Sequence, residues 1–390
     1  MDDDFLKDLI NEVNILLNKN LFKDALQFVT LNCIKNPKIQ TSPFFHNILG
    51  LIHLNLKDWE TSIKCFEKSI EINRKFTPAY FNLGIAKYDL GDLKNSYEHF
   101  VKVIEFDKDN KRAEENIIKI LNCIDLDKKD NPLTNANREL QKINLDIDYE
   151  KKISNDKIIE ILNKSNSIIS KFIPKYTFRE HQLLIHNQKD LNCERHFRIF
   201  KKFNTLSKNC FNCFKIVIFL YDVYDLIKLS FIFNNLNFLN NFESKCRIDF
   251  KNNHYRGYIY CSSIDEINNV TKTIKNILEI NFDEKFSIET RRGCSEFSVK
   301  YPNFKKIETN INDMFQYPKL WEESEKLIDQ QTYKDGIAKI RNIKKPLRGI
   351  TLNSYLIINN WLNYSKKIIN YFFLFLINTK LRFNIVTFFK

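Results

Sequence analysis

Residues 49–71 (LGLIHLNLKDWETSIKCFEKSIE) and 83–105 (LGIAKYDLGDLKNSYEHFVKVIE) decide the fold of the first part of the chain. A shift of 34 residues places the second stretch on the first with nine identities, among them Leu49-Gly50 on Leu83-Gly84. A period of this length predicts stacked helical hairpins, each burying its apolar face against the next.

The repeated positions each have a packing role. Gly50 removes a side chain where the first helix of a hairpin meets the second, and small Ser62 does the same from the second helix. Phe66 fills the space between successive hairpins, and all three residues recur one period later. A less regular hairpin precedes them, with helices predicted at Phe5–Leu17 and Leu21–Ile34 and an insertion at 38–42. A capping helix is predicted at Arg112–Leu121.

This period and pattern resemble the tetratricopeptide repeat, a helix-turn-helix unit of 34 residues. The resemblance covers residues of about 5–122 and implies an all-α solenoid whose first helices line a concave groove for an extended or helical peptide. Mapped onto this chain, the implied groove residues are Asn47, Leu51, Asn55, Phe81, Asn82, Ile85, Tyr88, Asp89 and Arg112. Few lysines lie among them, unlike the clamp that some family members use for acidic chaperone tails.

The charge of the chain is unevenly distributed. Of the 390 residues, 1–125 carry 17 Lys+Arg against 19 Asp+Glu, whereas 126–390 carry 44 against 29. The second part therefore has a net charge of +15, which favours an acidic partner such as nucleic acid, an anionic membrane face or an acidic ligand. Solubilising lysine is the alternative.

From residue 214 the hydrophobic period changes to that of strands. Strands are predicted at Phe214–Leu220, Cys246–Phe250, Arg256–Cys261 and Lys285–Arg291, with helices at Val223–Phe238 and Ile264–Leu278. The order β-α-β-β-α-β predicts an α+β domain of ferredoxin-like type. The predicted domains are a repeat array at 1–123, a helical connector at 124–172, a basic α+β module at 173–350, and a C-terminal helix with an apolar, basic tail at 351–390. The segment from Cys193 to about Tyr301 also resembles an uncharacterised module of bacterial tetratricopeptide proteins, which implies no activity.

A candidate zinc site precedes the first of these strands. Cys193 and His196 lie three residues apart on a predicted helix and share one face, and Cys210 and Cys213 form a Cys-x2-Cys turn. A Cys3His set suits one structural zinc ion, because four protein ligands leave no open position for catalysis. The alternative is that the two later cysteines are small core residues and His196 lies at the surface.

Two further patterns point to anionic ligands. Arg256-Gly-Tyr258-Ile-Tyr260 resembles the aromatic strand of RNA-recognition domains, in which exposed rings stack on bases. Arg291 and Arg292, followed by Gly293, predict a weak anion site. Ordinary residues of a hairpin and of a strand end are the simpler explanation of both patterns.

The C-terminal segment is apolar, but the run Tyr371–Ile377 is about half the roughly 20 residues that a membrane span requires. We therefore expect no transmembrane span, and expect this run either to be buried or to contact a membrane surface. The acidic start, Met1-Asp2-Asp3-Asp4, lacks the positive charge of a secretory signal, and nine scattered cysteines are typical of reduced thiols. These features predict a cytoplasmic protein.

Together these observations predict a protein-interaction adaptor that joins a peptide groove to a basic α+β module. One alternative is an enzyme of transferase type whose repeats present a partner protein, although no P-loop, dinucleotide-binding turn or serine elbow occurs. The other is a nucleic-acid-binding protein. No catalytic residues can be assigned.

Overall fold

A computed structural model describes most of the chain in two units. The described residues are 3–126, 131–143, 145, 147–173, 176, 178–187, 193–250, 254–283, 285–305, 307, 316–331 and 349–368. Those up to Thr134 belong to the first unit and those from Asn135 onward to the second.

The first unit is a series of helices in which each helix packs mainly against the next. These helices are α1 (Asp3–Asn18), α2 (Phe22–Lys35), α3 (Pro43–Asn55), α4 (Trp59–Ile72), α5 (Thr77–Asp89), α6 (Leu93–Phe106) and α7 (Lys111–Leu121). The bounds agree with the predicted hairpins to within about two residues, which is the usual uncertainty of a helix end. The predicted all-α repeat array is therefore confirmed.

Contacts within the hairpins explain the repeated residues. A Cβ atom on Gly50 would lie 2.5 Å from Cε1 of Phe66, and one on Gly84 would lie 2.9 Å from Cε1 of Phe100. The hydroxyl of Ser62 donates a hydrogen bond to the carbonyl oxygen of Gly50 at 3.0 Å. Small residues are thus required at the helix crossing, because aromatic rings occupy the space beside the backbone.

The turns between paired helices combine a left-handed residue with a helix cap. Lys57 and Gly91 adopt left-handed backbone angles, with φ of 64° and 78°. The carboxylate of Asp58 then accepts a hydrogen bond from the backbone N–H of Thr61, so it caps the start of α4. Between α2 and α3 the predicted insertion forms a 3₁₀ turn at Pro37–Thr41.

The second unit contains a five-stranded antiparallel sheet. Its strands are β1 (Gln182–Asn187), β2 (Phe214–Leu220), β3 (Glu243–Asp249), β4 (His254–Cys261) and β5 (Phe286–Arg292), in the spatial order β1-β3-β4-β2-β5. Helices α11 (Val223–Asn235) and α12 (Ile264–Phe282) connect β2 to β3 and β4 to β5. The predicted order β-α-β-β-α-β is therefore observed, and β1 is an additional edge strand that the sequence analysis did not identify.

The sheet has an apolar and a polar face. Ile216, Ile218 and Leu220 of β2 are completely buried and share the face on which α11 and α12 pack. Because side chains alternate along a strand, Lys215 and Phe219 lie on the opposite face. This second face is lined by charged and aromatic residues of β3, β4 and β5.

Several further helices complete the second unit. These are most of α8 (Pro132–Gln141), α9 (Asn155–Phe172), α10 (Cys193–Phe203), α13 (Trp321–Gln331) and a C-terminal helix at residues 352–368 (α14). Trp361 of α14 is fully buried and its Nε1 donates to the carbonyl oxygen of His181 at 2.8 Å. The predicted connector at 124–172 thus contributes α9 to the second unit, where it packs against α11.

Among the described residues, no helix combines the length and the hydropathy needed to cross a bilayer. The apolar run Tyr371–Ile377 lies outside the described residues.

Candidate functional site

The first helices of successive hairpins form one surface of the first unit, which we call the A-helix wall. It consists of α3, α5 and the start of α7, with α3 and α5 in contact. Of the predicted groove residues, Asn55 and Arg112 are exposed, Asn47 is buried, and the rest are half-buried, namely Leu51, Phe81, Asn82, Ile85, Tyr88 and Asp89. The predicted residues therefore lie on one set of helices, and most keep an accessible surface.

An amide pair links the two central helices of the wall. Nδ2 of Asn82 donates a hydrogen bond to Oδ1 of Asn47 at 2.8 Å. The side chain of Asn82 keeps its own oxygen as an acceptor and its second N–H as a donor. The pair thus fixes the orientation of an amide that can still bond to a peptide backbone.

A stacked cation lies at the α7 end of the wall. The guanidinium carbon of Arg112 is 4.9 Å from the centre of the Phe81 ring, and the edge of that ring meets Phe100 at 5.5 Å between centroids. Stacking orients the guanidinium without using its N–H groups, so these remain free to meet an acceptor.

The other end of the predicted groove is partly desolvated. Burial raises the pKa of the Asp89 carboxyl, although the ammonium of Lys57 and the indole of Trp59 favour its charged form. Burial also raises the pKa of Tyr88 to about 12, and the thiol of Cys123 and the carboxyl of Asp89 add to the shift. A carboxylate in this environment gains from the approach of a further cation.

The predicted zinc ligands lie in the second unit at the base of β2. Cys193 begins α10 and is half-buried, His196 is 4% exposed, and Cys210 lies in an apolar cluster. Cys213 lies against Gly293, to whose N–H its carbonyl oxygen is hydrogen-bonded at 2.8 Å. Within the described part of the chain, no group of three or more His, Cys, Asp or Glu side chains is arranged to hold a metal ion. The zinc site therefore stays a prediction.

The structure brings a fifth residue to this cysteine set. The thiol of Cys294 interacts with those of Cys193 and Cys210, and the interaction with Cys294 together with burial raises the pKa of Cys193. Sequence spacing gave no signal for this contact, because Cys294 follows β5 at the far end of the module.

The structure places Arg291 and Arg292 on opposite faces of the sheet, and the predicted anion site stays a prediction. They are consecutive residues of β5, so their side chains project from opposite faces of the sheet. Arg292 is 2% exposed and donates to the carbonyl oxygen of Phe211, while Arg291 lies above the ring of Phe219. The anion site was predicted from two adjacent guanidiniums beside the flexible turn at Gly293, with the strand expected to end at Arg291, whereas the strand continues through Arg292.

The aromatic strand β4 does not expose its rings. Tyr258 is 3% exposed and Tyr260 is 8% exposed. The ammonium of Lys245 lies 4.9 Å from the centre of the Tyr260 ring, and the guanidinium of Arg247 lies 5.1 Å from that of Tyr258. The rings are therefore capped by cations rather than open for base stacking.

The second unit also contains an ionic cluster that attaches α13. The guanidinium of Arg195 on α10 bonds to Glu325 and Asp329 of α13, at 2.9 and 2.6 Å. The carboxylate of Glu325 also accepts the hydroxyl of Tyr317 at 2.7 Å. This cluster contains no side chain that the sequence analysis selected, and its pattern of multiple bonds is that of a structural anchor.

Comparison with known proteins identifies the repeats. A family model for the tetratricopeptide repeat matches residues 45–76 and 77–110, which span most of α3 and all of α4, α5 and α6. No curated protein sequence matches the chain.

Solved structures similar to this chain include tetratricopeptide domains. The first such domain of Spaghetti (RPAP3), bound to the HSP90 peptide SRMEEVD, is 20% identical, with coverage of 31% of this chain and 95% of that chain and a TM-score of 0.28. The domain of Arabidopsis OM64 is 17% identical, covering 30% and 94%, with a TM-score of 0.28. MamA is 15% identical, covering 45% and 79%, also with a TM-score of 0.28.

Proposed function

We propose that the tetratricopeptide repeats of residues 45–110 bind a segment of a partner protein, so that this chain acts as an interaction adaptor. The observation that carries the proposal is the A-helix wall, in which half-buried Leu51, Phe81 and Ile85 accompany the oriented amide of Asn82. Apolar side chains left half-exposed beside an oriented donor and acceptor are the elements of a peptide site.

The division of roles on the wall follows from these contacts. Covering the apolar side chains removes them from water, which contributes about 25 cal/mol per Å² of apolar surface. The amide of Asn82 satisfies a backbone group of the partner, whose desolvation would otherwise oppose binding. Aromatic and arginine side chains dominate such interfaces, which makes Phe81 and Arg112 the expected anchors.

The experiment uses the full-length chain and a random library of 12-residue peptides. The native chain is expected to retain a subset of peptides, and Phe81→Ala is expected to weaken their binding by about tenfold, as for a typical anchor residue. Because Phe81 also touches Phe100, the exposed Arg112→Ala is a second variant that leaves the core intact.

Lys94→Ala is the matched control, since Lys94 is an exposed residue of α6 rather than of the wall. Its binding is expected to equal that of the native chain. Capture of no peptide by the native chain, or equal capture by the native chain and both wall variants, would refute the proposal.

The two alternative functions have less support. Base stacking by the second unit would need open aromatic rings, but Tyr258 and Tyr260 are buried beneath Lys245 and Arg247. A transferase would need a reactive constellation, and the described cysteines Cys193 and Cys294 have raised pKa values, which disfavour a nucleophilic thiolate. The adaptor is therefore the function that we carry forward.

A further inference from the structure

A cleft opens beside the A-helix wall where the turn between α3 and α4 meets the end of α5. Its volume is about 410 Å³, and it is lined by Lys57, Asp58, Trp59, Glu60, Ile63 and Leu90. All of these residues belong to the matched repeats, and none of them is among the groove residues predicted from the sequence.

The floor of the cleft is apolar. Trp59, Ile63 and Leu90 are each half-buried, and the first two pack on the cluster around Phe66. An indole face beside two aliphatic side chains is a favourable surface for the methylene stem of a long side chain, and an indole ring also attracts a cation.

The rim of the cleft is acidic. Asp58 and Glu60 are exposed, and the half-buried carboxylate of Asp89 interacts with both Lys57 and Trp59 of the lining. The cleft thus has two carboxylates in its lining and a third, that of Asp89, beside it, against the single ammonium of Lys57. Both oxygens of Asp58 already have partners, because Nδ1 of His53 lies 3.0 Å from Oδ2 and the backbone N–H of Thr61 donates to Oδ1, which leaves Glu60 and Asp89 as the main acceptors.

We propose that this cleft is a subsite for an arginine or lysine side chain of the polypeptide held on the A-helix wall. The inference rests on the proposed function and adds to it the chemical class of one anchor residue. The stem of that side chain packs on Trp59, and its charged head meets the carboxylates of Glu60 and Asp89. Charge and shape select together, because an acidic residue would be repelled by the rim and a short apolar residue would leave it without a counter-charge.

Lys57 provides an internal check on this assignment. Its ammonium lies at the same rim and opposes a second cation, so removing it strengthens the proposed preference, whereas neutralising Asp89 weakens it. Two substitutions on one cleft therefore have opposite expected effects, which a general loss of folding cannot produce.

The test uses the full-length chain and random 12-residue peptide libraries that share one fixed central residue: arginine, lysine, leucine or glutamate. The arginine and lysine libraries are expected to be retained about fivefold more than the leucine library, as for one partly exposed cation site, and the glutamate library least. In the double variant Asp89→Asn, Glu60→Gln this preference is expected to disappear, so that the arginine, lysine and leucine libraries are retained equally. In Lys57→Gln the preference is expected to increase.

The outcomes separate the two proposals. Retention of no library overturns the proposed function and the inference together. Retention without preference for arginine or lysine, or a preference that the double variant keeps, overturns the inference and leaves the peptide-binding function in place.

Discussion

Replacing Gly50 by alanine tests the packing that defines the repeat. The new methyl group would lie 2.5 Å from Cε1 and 2.7 Å from Cδ1 of Phe66, whose side chain is completely buried and therefore has little room to move. Forcing extra atoms into such a core costs about 1–3 kcal/mol, while alanine regains about 1 kcal/mol over glycine inside a helix. The two effects together leave a loss of about 0–2 kcal/mol, and because an approach of 2.5 Å is a severe clash we expect the local free energy of opening of this hairpin to fall by about 1–2 kcal/mol, the upper part of that range.

Hydrogen exchange measured by mass spectrometry on the full-length chain is the assay, because it localises the effect to α3 and α4. A loss of this size lowers the protection of their amides by about 5- to 30-fold. Gly84→Ala is the matched control, with a smaller expected loss because its methyl group would lie 2.9 Å from the Phe100 ring. In the double variant Gly50→Ala, Phe66→Leu the loss of free energy of opening should be smaller than the sum of the losses in the two single variants. Unchanged protection in Gly50→Ala, or simple additivity in the double variant, would refute the packing argument.

Three shorter predictions concern other parts of the chain. Ser96→Ala removes a buried hydrogen bond of 2.7 Å to the carbonyl oxygen of Gly84, so exchange of α5 and α6 should reflect a loss of about 1 kcal/mol, and identical exchange would contradict this. Burial alone would raise the pKa of Glu325, but the hydrogen bonds to its carboxylate, including that from Arg195, outweigh burial and lower this pKa. The ionised carboxylate therefore stabilises the fold above the unfolded pKa of about 4.3, and this stabilisation is lost as pH falls through the folded pKa. Exchange of α13, corrected for the intrinsic rate, should therefore increase below about pH 4 in the native chain and change little in Glu325→Gln, and a flat native profile would exclude this role. If the predicted zinc site exists, the purified native chain should contain about one equivalent of zinc, and Cys210→Ser should contain less. A zinc content below about half an equivalent in the native chain would contradict the prediction.

The repeats could be predicted from the sequence because their determinants are local and occur twice. Gly50, Ser62 and Phe66 interact within one hairpin, and the same three contacts recur at the next period. The order of β2 to β5 along the chain was also predictable, since β2 is apolar except for Lys215.

Features that depend on distant parts of the chain could not be predicted. The edge strand β1 is short and makes its sheet contacts with β3 alone, so it needs neither a long apolar run nor strict alternation. Cys294 meets Cys193 only because the sheet brings the end of β5 to the start of α10. The cleft at Trp59 was missed for a related reason, as its floor combines the start of α4 with Leu90 at the end of α5.

The strand order of the sheet has a consequence for how the chain folds. Contacts in the first unit join neighbours in sequence, which favours fast folding. By contrast, β2 pairs on both sides with strands that are synthesised later, β4 and β5. Until those strands emerge, the apolar segment Phe214–Leu220 has two open edges, which makes it prone to aggregation. The interval of greatest risk during biosynthesis is therefore the time needed to translate residues 221–292, and chaperone dependence should be concentrated there rather than in the repeats.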